Sequence, residues 1–308
     1  MDARTAEPFG GHTIQEDEMS TTLERTTSAG NGTRLGPVFV AGGTGKTGRR
    51  VAARLEALGV PVRIGSRRSQ PAFDWEQSHG WASALEGSKA VYAAYAPDLA
   101  VPGAVAAIEQ LIDLAKRARI ERFVLLSGRG EPEAQAAEAL VQHSGLDWTI
   151  VRCAWFMQNF SENYFIDGIL AGELALPVGA VREPFVDADD IAEVVATALT
   201  QPGHNGQLYE LTGPRTLTMA EAMQEIALAT GREIRYTELD QEVYEREMRA
   251  AGLPSEVIWL LQYLFTTVLD GRNAWLGDGV QRALGRPPRD FRDYARDAAS
   301  TGCWNPTS

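Results

Sequence analysis

From Pro37 onward the chain sets short, continuous apolar runs against longer stretches with helical spacing. Val38, Phe39 and Val40 form the first run. Glycines follow, and then Val51, Leu55 and Leu58 recur at a helical period. Val60–Ile64 predicts a second strand, Ala90–Tyr95 a third, Phe123–Ser127 a fourth and Trp148–Arg152 a fifth. Between the third and fourth, Val105, Ile108, Leu111, Ile112 and Ala115 fall at i, i+3, i+4 steps and mark a helix. Strands apolar on both faces belong to a parallel sheet covered by helices on each side. Strand–helix–strand order with right-handed crossovers then predicts an α/β fold built on a doubly wound sheet.

After about residue 153 the rhythm loosens. Asp189 or Asp190 is placed to cap a helix running to Leu199. Gln207–Leu211 and Glu233–Thr237 predict strands. Thr218 and Glu221 form a capping box for a helix that Gly231 ends. Pro254, Pro287 and Pro288 break a mainly helical remainder. The expected organisation is a flexible tail over 1–35, a nucleotide-binding core over 36–153, and a smaller α/β substrate lobe over 154–308. That lobe is expected to interleave partly with the core and to lie over the carboxyl ends of the strands, where such sheets bind ligands. The tail is rich in Thr, Gly, Ser and Glu, without the basic and apolar regions of a secretory signal.

The sharpest motif follows the first strand: Ala41-Gly42-Gly43-Thr44-Gly45-Lys46-Thr47-Gly48. Gly42 suits a tight turn, Gly45 a close backbone approach to a pyrophosphate, and Gly48 close packing of the helix on the sheet. Phosphates would then meet the free N–H groups at the helix N-terminus. Lys46 and Thr47 suggest a phosphate-binding ATPase loop, but that motif needs a glycine at position 40, which is Val40. At the end of the second strand stand Ser66, Arg67 and Arg68, where a carboxylate would hold a free ribose 2′-hydroxyl. Two guanidinium groups suit a 2′-phosphate instead, so the expected cofactor is NADP(H).

Composition narrows the field. Among 308 residues, 29 basic side chains face 41 acidic ones, for a net charge of −12. That balance argues against a nucleic-acid partner. No stretch approaches the roughly 18 apolar residues of a membrane span. Cys153, Cys303 and four scattered histidines match neither a disulfide framework nor a metal site. A small-molecule partner and a cytoplasmic setting are expected.

With these residues in view, the chain resembles the NmrA-like branch of atypical short-chain dehydrogenase/reductases, and especially the bacterial relatives of ergot-alkaloid (agroclavine) dehydrogenases. The resemblance spans about 37–304. It rests on the glycine turn, on Arg122–Ser127, Asp147–Arg152, Trp155–Glu162, Pro184–Ala192 and Gly285–Phe291. It implies a Rossmann core, a nicotinamide cofactor and reduction of a carbonyl, imine or conjugated double bond. Cys153 departs from the proline that relatives often carry, and reads as a buried packing residue. Trp155, Phe156, Asn159 and Phe160 follow the fifth strand and suit a flat, mostly apolar substrate. The acids at 187–190 read as a helix N-terminus rather than a catalytic pair.

The proton donor is conspicuous by its absence. Typical short-chain reductases use a Tyr-x-x-x-Lys pair, yet no tyrosine here has a lysine four residues on. The lysines are only Lys46, Lys89 and Lys116. Three readings follow. Positioning of substrate and cofactor can supply most of the rate, with solvent giving the proton. Another hydroxyl can serve: Ser127, which also ends the fourth strand beside the expected cofactor, or Tyr164, or Tyr95 at the end of the third strand. Alternatively there is no chemistry, and the protein is an NADP(H)-sensing regulator that binds a protein partner. The C-terminal helices, 255–270 and near 291–299, either close over the pocket or form the face of a homodimer.

Overall fold

The computed structural model describes residues 36–162 and 164–306. The expected tail at 1–35 lies outside them. The elements run β1 (Val38–Ala41), α1 (Lys46–Ala57), β2 (Val62–Gly65), α2 (Trp81–Leu85), β3 (Ala90–Ala93), α3 (Ala104–Arg117), β4 (Arg122–Gly128), α4 (Pro132–Gln142) and β5 (Asp147–Cys153). There follow α5 (Ile166–Ala171), β6 (Glu173–Leu176), α6 (Ala188–Thr200), β7 (Gln207–Leu211), α7 (Met219–Thr230), β8 (Arg235–Glu238), α8 (Gln241–Ala250), α9 (Ser255–Tyr263), α10 (Gly279–Leu284) and α11 (Phe291–Ser300).

Six strands form one sheet in the order β2-β1-β3-β4-β5-β7, and every pairing is parallel. This is the doubly wound, Rossmann-type sheet that the apolar runs predict. Side chains alternate across each strand. Val38 and Val40 face a core shared with Val51 and Leu55 of α1 and Ile191 and Val195 of α6. Phe39 and Ala41 face the other core, with Ile108 and Leu111 of α3 and Ala137 and Val141 of α4. Both faces are therefore covered, which is why the strands carry no polar alternation. The order reverses between β1 and β3, and ligands of such sheets bind in the crevice at the carboxyl ends beside that reversal.

Past residue 153 the chain returns to the sheet through α6 and β7. The rest builds a second core around Phe160, Phe185, Met223, Phe265, Phe291 and Trp304. Its short sheet pairs β6 with β8 in parallel. The Thr218–Glu221 capping box forms and Gly231 ends its helix at φ 66°. The cap of α6 is Asp187, not Asp189 or Asp190. Its carboxylate accepts the Asp189 N–H at 2.8 Å, while Asp190 is buried in an ion pair with Arg286. Of the two C-terminal helices, α9 lines the cleft described below and α11 packs in the second core against Phe160 and Phe185. No helix of the described residues is long and apolar enough to cross a membrane.

Candidate active site

The glycine turn is shaped by close approaches. Gly42 lies at φ +77°, and a Cβ there would fall 2.4 Å from the Ala94 carbonyl oxygen. A Cβ on Gly48 would fall 2.2 Å from the Gly42 carbonyl oxygen, so α1 leaves the turn in contact with it. Gly48 thus acts through packing and does not line the cleft. Gly45 caps α1 without a side-chain bond, and no acid occupies the first turn. The first N–H groups of α1 therefore stay available for an anion. Thr47 is buried there, and its hydroxyl accepts the Tyr92 hydroxyl at 2.9 Å while keeping its own O–H as a donor. Lys46 Nζ donates to Asn159 Oδ1 at 2.9 Å. Burial pulls its ammonium down to about 8, against the opposing charge of Glu162 and alongside Arg49 and Arg50.

Beyond the end of β2, Thr44, Ser66, Arg67 and Arg68 line a recess of about 360 Å³. Neither guanidinium makes an ion pair among the described residues. These residues fit a dinucleotide: N–H groups for the pyrophosphate, and a cationic recess with no carboxylate for a 2′-phosphate.

A larger cleft of about 780 Å³ runs from the glycine turn along the strand ends. Tyr95, Ser127, Cys153, Trp155, Phe156, Asn159 and Tyr164 line it. The other wall is apolar: Val257, Leu260 and Leu261 of α9, then Leu264, Phe265 and Val268 of the π-helical turn that continues it. Such irregular turns often mark functional sites.

Phe160 requires a correction. It is 0% exposed, and its ring packs 5.3 Å from both Phe185 and Phe291. It belongs to the second core and lines neither the cleft nor the recess. Ser127 lines the cleft, but its hydroxyl donates to Glu138 Oε1 at 2.5 Å. That carboxylate is also held by Arg152 Nε at 2.8 Å. The Ser127 proton is thus committed to a buried ion pair. Tyr164 is 55% exposed. Tyr95 packs 4.8 Å from Trp75, and burial raises its hydroxyl above the ordinary range. Burial likewise raises the Cys153 thiol, consistent with a packing residue.

Sequence reading missed several charged residues in the cleft, Glu183, Asp98, Glu131 and Arg129 among them. Glu183 is buried, accepts the Trp155 N–H at 3.2 Å, and is pushed up to about 7 by burial. Asp98 and Glu131 also line it. Arg129 is buried, with its guanidinium 4.1 Å over the Trp275 ring. Glu131-Pro132 and Glu183-Pro184 were the available signals. A carboxylate before a proline reads as a helix start or a loop, and neither points to chemistry.

The family model described as NAD(P)H-binding matches residues 42–202. The NAD(P)H azoreductase of Xenophilus azovorans is 30% identical over 285 residues, covering 85% of this chain and 98% of that one. The chain belongs to the NAD(P)H-binding family that the family model describes. It is an NAD(P)H-dependent oxidoreductase. The agroclavine dehydrogenase of Claviceps fusiformis is 27% identical over 288 residues, covering 84% of this chain and 96% of that one. The structure of NmrA, a negative transcriptional regulator in complex with NAD, superposes with a TM-score of 0.67. Its identity is 17%, covering 87% of this chain and 97% of that one, and the likeness is one of fold.

Proposed function

We propose that this NmrA-like protein is an NADPH-preferring reductase of a small to medium aromatic or polycyclic substrate, working in the cytoplasm without a Tyr-x-x-x-Lys acid. The observation that carries the reading is the cationic recess of Thr44, Ser66, Arg67 and Arg68 beside an aromatic and aliphatic cleft. The nicotinamide, when bound, supplies a hydride to a carbonyl, imine or enone carbon. The protein's own residues do the rest. Gly42, Gly45 and the first turn of α1 hold the pyrophosphate, and Lys46 adds positive charge there. Arg67 and Arg68 hold the 2′-phosphate, with Ser66 and Thr44 completing that recess. Trp155, Phe156 and the α9 wall exclude water and orient a flat substrate. Asn159 ties the substrate segment to Lys46.

The cleft extends beyond the glycine turn to the aromatic and aliphatic wall of Trp155, Phe156 and α9, which a cofactor sensor does not require, so the catalytic reading takes precedence. The test is NADPH oxidation by the purified protein against quinones, aryl ketones, azo dyes and cyclic iminium salts. Turnover well above background supports it. Tight NADPH binding with no turnover on any acceptor would return the protein to the sensing role.

A further inference from the structure

Ser127 stands in the cleft near the end of β4, and the function above gives it no task. Its polarity is fixed from behind. Arg152, its partner in register on β5, donates from Nε to Glu138 Oε1 at 2.8 Å and from Nη2 to Glu138 Oε2. The same guanidinium donates to Glu210 of β7 at 2.8 Å. A carboxylate held on both oxygens by one guanidinium is ionised, and an ionised carboxylate accepts without donating. The 2.5 Å bond between Ser127 Oγ and Glu138 Oε1 therefore carries the proton of the serine.

A hydroxyl has one proton and two lone pairs. With its proton spent, Ser127 offers acceptor capacity alone. Among the described residues no N–H or O–H donates to that oxygen. Ser127 is buried yet lines the cleft with Thr44, Tyr95 and Asn159. Its vacant partner is therefore a donor carried by a molecule in the cleft.

The strand order indicates which molecule. From one edge the sheet runs β2, β1, β3, β4. The recess for a 2′-phosphate lies beyond β2, and the glycine turn for the pyrophosphate lies beyond β1. A dinucleotide with those two parts seated has its nicotinamide end left for β3 and β4. Ser127 stands two strand spacings past the turn, about 10 Å in all.

We propose that Ser127 accepts the N–H of the nicotinamide carboxamide. Glu138, gripped by Arg152, is the positioning residue that keeps the serine from donating instead. Ser127 is then an acceptor that orients the cofactor and selects an amide over a ketone at that place; it is not the proton donor of the reaction. The proposal rests on the cofactor part of the reading above.

The test is binding, with no turnover required. Calorimetry compares NADP+ with its 3-acetylpyridine analogue, which keeps a carbonyl on the ring and lacks the amide N–H. The wild type should prefer NADP+ by about tenfold, the worth of one good hydrogen bond. Ser127→Ala should weaken NADP+ by about that factor and leave the analogue within about twofold. Ser127→Cys, whose sulfur is a weak acceptor, should fall between and gives a second reading should the alanine variant not fold. In Glu138→Gln the new amide can donate to Ser127 and free the serine proton for a ketone oxygen. That variant should bring the preference within about threefold, with thermal melting reporting its fold. A preference that persists in folded Glu138→Gln overturns the positioning role. Equal losses for both ligands in Ser127→Ala mean that the serine donates to the carbonyl or only supports the fold, and overturn the proposal. So do unchanged affinities, and so does a wild type without preference. A wild type that binds neither ligand removes the cofactor reading itself, and the proposal with it.

Discussion

Replacing Arg67 and Arg68 together by alanine tests the cofactor assignment most directly. The recess they line with Thr44 and Ser66 contains no acid, so its affinity for a 2′-phosphate comes from guanidinium hydrogen bonds. A hydrogen bond to a charged group contributes roughly 1.5–3 kcal/mol. Both arginines are exposed to solvent, which places each at the lower end. Two such groups give about 3 kcal/mol, or about 100-fold in Kd at 1.4 kcal/mol per tenfold. NADH lacks the phosphate and should change by less than about threefold. Fluorescence titration of both cofactors at two salt concentrations provides the assay. Exposed charges are screened, so added salt should weaken NADPH in the wild type and leave NADH nearly unaffected. Equal losses for the two cofactors, or a wild type that prefers NADH, would refute the reasoning.

Three further outcomes are expected. Lys46 holds its proton only up to about pH 8, and its ammonium form attracts phosphate. NADPH affinity should therefore be full below that pH and decline above it, with Lys46→Met showing a weaker but flatter profile by calorimetry. Glu183 is raised to about 7 from an ordinary value near 4.5. Its contribution to stability is present below the lower value and lost as pH rises toward the higher. Glu183→Gln should consequently gain on the wild type by about 3 kcal/mol at pH 8 relative to pH 4.5, read from urea unfolding. Phe160→Ala should cost about 3–5 kcal/mol of stability, as expected for a buried aromatic ring. A stable variant with only a raised KM would instead return Phe160 to the substrate wall.

The parts legible in sequence are those whose signal is local. β1 to β5 and β7 are short apolar runs, and the Thr218–Glu221 box is written within four residues. The glycine turn is legible because Gly48 answers a steric demand made by Gly42, six residues before it. Phe160 was misplaced because residues 155–160 form a loop and a single tight turn, where no periodicity tells the cleft side from the core side. Trp155 and Phe160 look alike on paper. The pairing of β6 with β8 joins segments about sixty residues apart and carries no local mark. Asp98 and Glu131 are separated by all of α3 and β4, so their meeting in one cleft is a property of the strand order alone.

The apolar wall from Val257 to Val268 has a consequence for how such an enzyme diversifies. It lies beyond residues 42–202, the stretch matched by the NAD(P)H-binding family, yet it faces the strand ends across the cleft. On the proposed reading, one wall of the substrate site is thus encoded apart from the surface that holds the reducing equivalent, while Trp155 and Phe156 lie within that stretch. Lineages can rewrite a dozen consecutive codons to change diet while inheriting the electron source intact.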